Sequence, residues 1–255
     1  MKKRVNKSIG AILPIILFLL ISCASTGRKQ SESRDAEYYN NWGIFYENRG
    51  QHDQAIMDFT NALEINPKYV DAYVNRGVAH ANKGEYDEAI SDYTTALEID
   101  PKGADAYYNR GIAYGNKGQY DQAIADFSKA LEIKPASAYT YYDRGVAYAN
   151  KDQYDEAITD YTKALEINPK YADAYINRGV ARANKGEYDQ AISDYTKALE
   201  IDPKGADAYY NRGVAYYSKK EYDKSWENIK KAQDLGYPIP LDFLDNLRKA
   251  SGRER

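Results

Sequence analysis

The fold is decided by a stretch of 34 residues, residues 70–103, which reads VDAYVNRGVAHANKGEYDEAISDYTTALEIDPKG. Its apolar residues fall at helical spacing in two blocks, one around Tyr73 and Val78 and the other around Ala89 and Leu97. Spacing of this kind is typical of helices with one buried face. The stretch therefore predicts two short amphipathic helices.

Local signals separate and end these two helices. Gly84 lies between the blocks and favours a C-cap, because glycine adopts the left-handed backbone conformation without strain. Asp87 and Glu88 place negative charge in the first turn of the second helix, where the helix dipole favours it. Pro101 prevents that helix from continuing. Residues 70–103 thus form a self-contained helix pair.

The same pattern recurs along most of the chain. Glycine returns every 34 residues at Gly43, Gly77, Gly111, Gly145, Gly179 and Gly213. Proline returns with the same period at Pro67, Pro101, Pro135, Pro169 and Pro203. A period of this length indicates supersecondary units that stack on one another.

One copy carries a full set of small, aromatic and proline positions in the order Tyr107, Gly111, Tyr114, Ala123, Phe127, Ala130 and Pro135. In this the chain resembles the tetratricopeptide repeat family. The resemblance implies an all-α fold, a right-handed α-solenoid of six tetratricopeptide helix pairs plus a C-terminal capping helix. It places the repeats at residues 36–69, 70–103, 104–137, 138–171, 172–205 and 206–239, followed by a capping helix and tail at 240–255.

The two terminal repeats depart from the pattern, as expected where one face meets solvent. Repeat one departs from the pattern with Trp42 and His52. Repeat six has Ser225, Ile229 and Tyr237 where the pattern has alanine, an aromatic residue and proline. Beyond repeat six, leucine recurs every three residues at Leu241, Leu244 and Leu247. This spacing predicts a short helix that covers the last hydrophobic face.

The N-terminus has the features of a targeting segment. A basic run precedes an apolar core from Ile9 to Ile21 that is too short to span a bilayer comfortably, so residues 1–22 are predicted to be a signal peptide. The sequence Leu20-Ile21-Ser22-Cys23 resembles the bacterial lipobox, in which the cysteine is acylated after cleavage. Cys23 is the only cysteine and is therefore the predicted lipidation site.

We expect residues 23–35 to comprise the lipidated cysteine and a flexible tether. The resemblance then implies a bacterial lipoprotein of the cell envelope, membrane-bound through Cys23. Ala24 resembles the pattern that directs such proteins to the periplasmic face of the outer membrane. The alternative is an ordinary signal or an uncleaved anchor in which Cys23 is incidental.

Five first helices carry an arginine where the family usually has an apolar residue: Arg76, Arg110, Arg144, Arg178 and Arg212. Five second helices carry an aspartate just before their aromatic residue: Asp58, Asp92, Asp126, Asp160 and Asp194. Pairing within a repeat leaves Asp58 and Arg212 without a partner. Pairing each aspartate with the arginine of the next repeat gives all ten residues a partner. We therefore hypothesise pairs across the repeat interfaces, such as Asp126 with Arg144.

Family resemblance also indicates where partners would bind. The concave surface of such an array is lined mainly by first helices, and the predicted partner-binding residues on it are Asn75, Tyr108, Asn109, Tyr142, Asn177, Tyr210 and Asn211. Asparagine can pair with both groups of a peptide backbone, and tyrosine offers rigid amphipathic contact area. Asparagine is also common at this position in repeats of every function, so a generic polar surface is the alternative.

No motif in the sequence predicts a catalytic or metal-binding site. The two histidines, His52 and His80, replace aromatic residues, and there is no phosphate-binding glycine motif and no calcium loop. We predict no catalytic residue, no metal site and no cofactor. The net charge of −3 also argues against a nucleic-acid partner.

The expected function is that of a membrane-anchored, non-catalytic scaffold that binds protein or peptide partners, in envelope assembly. The alternative is an accessory or targeting subunit of a cell-envelope enzyme, for example one that acts on peptidoglycan.

Overall fold

The computed structural model describes residues 35–253, and over that range it consists of helices without strands. The helices are α1 Ala36–Glu47, α2 His52–Ile65, α3 Val70–Lys83, α4 Tyr86–Ile99, α5 Ala104–Asn116, α6 Tyr120–Ile133, α7 Ala138–Ala149, α8 Tyr154–Ile167, α9 Ala172–Asn184, α10 Tyr188–Ile201, α11 Ala206–Ser218, α12 Tyr222–Asp234 and α13 Leu241–Ser251. The all-α class and the six helix pairs predicted from the sequence are confirmed. The predicted signal peptide and Cys23 lie outside the described residues.

Residue contacts divide the chain into two units, one up to Asp92 and the other from Tyr93 onward, with the division inside α4. In the first unit α1 packs against α2, and α2 against α3. In the second unit each helix from α5 to α12 packs against the next one along the chain, and α13 packs against α12. Successive first helices, α5 with α7 and α7 with α9, also touch. None of the helices in residues 35–253 has the length and apolar character needed to cross a bilayer.

Local chemistry explains where the helices end. Gly84 follows α3 with a φ of 84°, in the left-handed region that the sequence predicted for it. The side chain of Asp35 caps α1 by accepting a hydrogen bond of 2.8 Å from the backbone N–H of Tyr38. Ser137 caps α7 in the same way through the N–H of Thr140. Capping of this kind satisfies amide groups that have no partner inside the helix.

In repeats one, three, four and five an aromatic ring packs against a glycine of the facing helix, and in repeat six Ile229 takes the place of the ring against Gly213. A Cβ added to Gly111 would lie 2.7 Å from a ring carbon of Phe127, and one added to Gly179 would lie 2.6 Å from Tyr195. Only glycine lets the two helices of a pair approach this closely. Phe127 is 2% exposed and packs with Ala123 of its own repeat and Ala147 of the next. The small and aromatic positions therefore form the core within repeats and between them.

The arginines pair within a repeat, and the hypothesis of pairs across repeat interfaces is wrong. Arg144 donates from Nε to Oδ2 of Asp160 at 2.7 Å and from Nη2 to Oδ1 at 2.8 Å. The same two-bond arrangement joins Arg76 to Asp92, Arg110 to Asp126 and Arg178 to Asp194. The carboxylate is within reach because the arginine and aspartate face each other across the tight glycine–aromatic contact of one helix pair.

The third guanidinium nitrogen of each arginine, Nη1, donates to a hydroxyl group of the preceding repeat. Nη1 of Arg144 donates to the hydroxyl of Ser128 at 2.9 Å, and Nη1 of Arg178 donates to that of Thr162 at 3.0 Å. Both hydroxyls in turn donate to a backbone carbonyl one turn earlier in their own helix, at 2.7 Å. The same hydroxyl contact joins Arg76 to Thr60, Arg110 to Thr94 and Arg212 to Thr196. One guanidinium thus connects two repeats.

Pairing within a repeat leaves two residues without the usual partner, as the sequence indicated it would. In repeat one Trp42 replaces the arginine, and burial raises the pKa of Asp58, with a hydrogen bond to Asn61 lowering it in part. In repeat six Asn228 replaces the aspartate and accepts one bond of 2.8 Å from Nε of Arg212. The ends of the array therefore carry weaker versions of the pair.

A different set of ion pairs does cross the repeat interfaces. Lys83 at the end of α3 binds Asp53 at the start of α2, and Lys219 directly after α11 binds Asp189 at the start of α10. Lys151 with Asp121 and Lys185 with Asp155 repeat the arrangement. The carboxylates are largely exposed, so solvent screens each pair and its contribution to stability is small.

The C-terminal helix α13 covers the last repeat, as predicted, but with two leucines rather than three. Leu244 and Leu247 are buried and pack with Ile229 of α12. Leu241 is 77% exposed. As the first residue of α13, directly after Pro240, it starts the helix and is not part of its packed face.

The other end of the described chain presents aromatic residues to solvent. Tyr38, Trp42 and Phe45 of α1 are each about two-fifths exposed, at 37%, 40% and 43%. They contact one another along the helix, with ring centroids 6.3 Å apart for Tyr38 and Trp42 and 5.2 Å apart for Trp42 and Phe45. Trp42 occupies the arginine position, so repeat one lacks the group that reaches towards a preceding hydroxyl in the other repeats.

Candidate partner-binding face

The first helices of successive repeats place the predicted partner-binding residues side by side. We call the surface formed by the fifth and sixth residues of these helices, and by residues one turn earlier, the first-helix face. In the second unit it includes Tyr108 on α5, Tyr142 on α7 and Asn177 on α9. These side chains are half-buried, so each has one part in the packing and one part open to solvent.

Several predicted residues bond to the neighbouring first helix. Nδ2 of Asn177 donates to the hydroxyl of Tyr142 at 2.8 Å. In the first unit, Nδ2 of Asn75 donates to Oδ1 of Asn40 at 3.1 Å. The contacts lie at equivalent positions and join the sixth residue of one first helix to the fifth residue of the one before. These amides hold neighbouring repeats in register, and their pairing with a peptide stays a prediction.

The other predicted binding residues differ in their exposure to solvent. Tyr210 stacks on Tyr237 with ring centroids 4.7 Å apart and contacts Phe243 of α13 at 5.9 Å. The C-terminal cap thus covers part of this tyrosine. Asn109 and Asn211 are half-buried at the same helical position as Asn177.

A cluster of tyrosines lies around the first helix of repeat four. Tyr171 contacts Tyr139 at a centroid distance of 5.5 Å and Tyr142 at 4.8 Å, so it lies between them. The hydroxyl of Tyr108 donates to Oδ2 of Asp143 at 2.8 Å. We call Tyr108, Tyr139, Tyr142 and Tyr171 the tyrosine cluster. It combines flat apolar rings with one carboxylate.

The sequence prediction included Tyr108 and Tyr142, and the family resemblance also puts Asp143 near the same surface, but Tyr139 and Tyr171 were missed. A signal was present, because repeat four alone replaces the early aspartate of the first helix with Tyr139 and the asparagine with Asp143. Averaging over the repeats hides a position at which one copy differs. Comparing the copies residue by residue would have revealed it.

Asp143 has unusual electrostatics for a surface helix. Burial raises its pKa to about 6, and the hydrogen bond from Tyr108 offsets only part of that effect. In the same environment, burial and the nearby Asp143 carboxylate raise the pKa of Tyr108. Burial likewise raises the pKa of Tyr161, whose surroundings also include Asp143. The carboxylate therefore sits among neutral phenols and not beside a compensating cation.

A shallow cavity adjoins the cluster. Its volume is about 440 Å³, and its lining includes Lys134, Ser137, Tyr139 and Ile167. Lys134 is engaged by Asp105, at 2.9 Å from Nζ to Oδ1. Tyr139 is 48% exposed and forms the edge that the cavity shares with the tyrosine cluster.

The histidines make ordinary side-chain hydrogen bonds to glutamates. Nδ1 of His52 lies 2.8 Å from Oε2 of Glu47, and Nδ1 of His80 lies 2.7 Å from Oε2 of Glu85. Both rings are half-buried at the turn between the helices of a pair. Residues 35–253 contain no group of three or more side chains arranged to hold a metal ion.

Comparison with known families gives matches along most of the described chain. Models of the tetratricopeptide repeat match residues 104–137, 138–171, 160–193 and 206–235. A further model, described as TPR repeat, matches residues 43–84, 79–118 and 181–220. No curated protein matches the chain.

Solved structures give related matches. The chain is similar to YrrB, described as a TPR protein with an unusual peptide-binding site, with 32% identity and a TM-score of 0.65 over 74% of this chain and 97% of that one. It is similar to MamA, with 33% identity and a TM-score of 0.61 over 62% of this chain and 93% of that one. A tetratricopeptide repeat protein from Parabacteroides merdae, with 23% identity and a TM-score of 0.61 over 88% and 87% of the two chains, shares the fold.

Proposed function

Because the chain belongs to the tetratricopeptide repeat family, we propose that it is a non-catalytic scaffold that holds peptide or protein partners on its first-helix face. The observation that carries this proposal is the tyrosine cluster. Three of its rings are only partly buried, and the hydroxyl of one of them, Tyr108, donates to the Asp143 carboxylate on the face that the first helices share. Tyrosine contributes rigid contact area at low entropic cost, which makes it a frequent residue of interfaces.

YrrB supports the choice of a peptide ligand, since that protein is described as having an unusual peptide-binding site. The match spans 97% of the YrrB chain. The side chains of the first-helix face suit an extended peptide. Asn109 and Asn211 offer both a donor and an acceptor to a backbone, and Tyr139 offers an exposed ring.

Photocrosslinking in intact cells tests this function. We would place a photoreactive phenylalanine at Tyr139, and at Met57 as a control, since Met57 is 58% exposed but lies on a second helix. A small set of partners is expected from Tyr139 and not from Met57. Equal capture of the same abundant proteins from both positions would contradict a specific site on the first-helix face. The captured partners also distinguish an assembly scaffold from a subunit of an envelope enzyme.

We propose further that Cys23 carries lipid and anchors the scaffold to the cell envelope, on the periplasmic face of the outer membrane. Support comes from the basic run, the short apolar core and the sequence Leu20-Ile21-Ser22-Cys23. Two or more acyl chains would be needed for stable attachment. Cys23→Ala is expected to leave an unprocessed precursor or to release the protein from membranes. Normal processing and attachment of Cys23→Ala would show that the anchor is wrong.

A further inference from the structure

Repeat four differs from the other repeats on the first-helix face. The second residue of the first helix is an aspartate in four repeats, Asp71, Asp105, Asp173 and Asp207, and in repeat four it is Tyr139. The sixth residue is an asparagine in five repeats, Asn41, Asn75, Asn109, Asn177 and Asn211, and in repeat four it is Asp143. The negative charge has thus moved by one helical turn, and an aromatic ring stands in its former place.

These two substitutions lie next to each other in space. Residues four apart on a helix are neighbours on its surface, so Tyr139 and Asp143 share one side of α7. The Tyr108 hydroxyl, which bonds Oδ2 of Asp143, also lies near the phenols of Tyr139 and Tyr171. An aromatic ring and a carboxylate therefore lie one turn apart on the same side of α7.

The carboxylate is not required for the packing around it. An asparagine at residue 143 could keep a hydrogen bond to the Tyr108 hydroxyl, as Asn177 does by donating from Nδ2 to the hydroxyl of Tyr142. It would do so without burying a charge, which is costly unless the charge is paired. The aspartate is therefore better explained by a cationic group that binds to it than by the stability of the repeat.

The chain itself shows how such a cation would be held. In repeat four the guanidinium of Arg144 lies 5.6 Å from the ring centroid of Tyr141 and binds Asp160. Arg110 makes the equivalent contacts with Tyr107 and Asp126. Each arginine is thus held by a tyrosine ring together with an aspartate. Tyr139 and Asp143 offer the same two kinds of group, a tyrosine ring and a carboxylate.

We propose that Tyr139 and Asp143 bind a basic side chain, lysine or arginine, of an extended segment of the protein partner. The inference rests on the proposed function and specifies its ligand. Cations are attracted to the faces of aromatic rings, and a partly desolvated carboxylate strengthens that attraction. Acidic segments would be repelled by Asp143 and by Asp173 of the following repeat.

A peptide selection tests this proposal. The full-length chain, in detergent and immobilised, is exposed to a library of random nonapeptides that are acetylated and amidated, so that only side chains carry charge. Retained peptides are identified by mass spectrometry. The variants are Asp143→Asn and Tyr139→Leu, with Tyr139→Phe as the conservative change. Asp207→Asn on α11 is the matched control, because it removes the same charge from an exposed carboxylate in another repeat.

The wild type is expected to select peptides enriched in lysine or arginine at one position. Asp143→Asn and Tyr139→Leu should lose that enrichment, while Tyr139→Phe and Asp207→Asn should keep it. A selected peptide should bind about tenfold more weakly when its basic residue is replaced by norleucine or citrulline. Such a pattern would support the proposal.

The selection separates failure of this proposal from failure of the proposed function. If the wild type retains peptides without basic enrichment, or if Asp143→Asn selects the same basic peptides, the basic-residue site is wrong and the peptide-binding function stands. If the wild type retains no peptides above the bare matrix, both are wrong.

Discussion

Arg144 and Asp160 form a two-bond ion pair inside repeat four, with Nε to Oδ2 at 2.7 Å and Nη2 to Oδ1 at 2.8 Å. Asp160 is buried, and the Asp160 carboxylate raises the pKa of Arg144. The remaining donor of Arg144 binds Ser128 of the preceding repeat. The pair thus stabilises the helix pair while its arginine sets the position of the repeat before it.

Two identical substitutions at equivalent positions should have opposite effects on stability. Asp160→Asn removes the charge that neutralises Arg144, so we expect a loss of about 2–3 kcal/mol in the free energy of unfolding. Asp58→Asn removes a buried carboxylate that has no arginine, so we expect no loss, or a gain of up to about 1 kcal/mol, at neutral pH. Urea unfolding followed by circular dichroism measures both. Equal losses in the two variants would contradict the importance of the arginine.

The hydroxyl contact between repeats can be tested on α8. Thr162→Val keeps the side-chain shape but removes the oxygen that accepts from Nη1 of Arg178 at 3.0 Å. We expect a loss of about 1 kcal/mol, because a half-buried guanidinium donor is left unpaired. Thr159→Val on the same helix is the control, since the Thr159 hydroxyl is exposed and bonds only the carbonyl of Asp155. A larger loss in Thr159→Val would argue against the contact.

The close approach of the two helices in a pair can be tested on α5. Gly111→Ala places a methyl group 2.7 Å from the buried ring of Phe127, and we expect a loss of about 1–3 kcal/mol from the forced shift. Gly115→Ala, one turn further along, meets no atom within 4 Å and should stabilise by up to about 1 kcal/mol because alanine favours the helix. Thermal unfolding of both variants gives the comparison. A Gly111→Ala protein as stable as Gly115→Ala would show that the ring can move aside.

Stability should depend on pH through Asp143. Its pKa is raised to about 6, so the folded protein binds a proton more readily than the unfolded chain, and this group's contribution to stability falls as pH rises from about 4 to about 6. Asp143 faces the phenols of Tyr108 on α5 and Tyr161 on α8, which stay neutral in this range.

Asp143→Asn should remove this dependence. We expect the variant to be more stable than the wild type above pH 6 by about 1–3 kcal/mol and to differ little near pH 4. Melting temperatures at half-unit steps from pH 4 to 8 measure the difference between the two proteins. All other titrating groups are the same in both proteins, so their effects cancel from this difference. A constant difference across that range would mean that Asp143 titrates as an ordinary aspartate.

Much of the architecture follows from local sequence. The period of 34 residues, the helical spacing of apolar residues and the glycine and proline signals are properties of neighbouring residues, and the helix pairs follow from them. Gly84 adopts the left-handed conformation and α13 buries Leu244 and Leu247, both as predicted. The exposed Leu241 differs because the same leucine spacing does not show where a helix begins to pack.

The candidate site could be predicted only in part. Family resemblance placed Tyr108 and Tyr142 among the predicted binding residues, through their position in the repeat. It could not show that Tyr171, the last residue of repeat four and the N-cap of α9, contacts both Tyr139 and Tyr142. That contact joins residues 29 and 32 positions apart along the chain, and it depends on how α7 and α9 pack.

The choice of partner for each arginine shows most clearly what could not be predicted from the sequence. By itself the sequence determined that arginines and aspartates recur in register, and it allowed two pairings, 16 or 18 residues apart. Tertiary structure decided for the first, because the ring of the aromatic residue against the glycine draws the two helices of one repeat together and brings Asp160 within 2.7 Å of Arg144. A hydrogen bond requires an approach of about 3 Å, and only the packed helices determine which of two carboxylates at similar sequence distances comes that close.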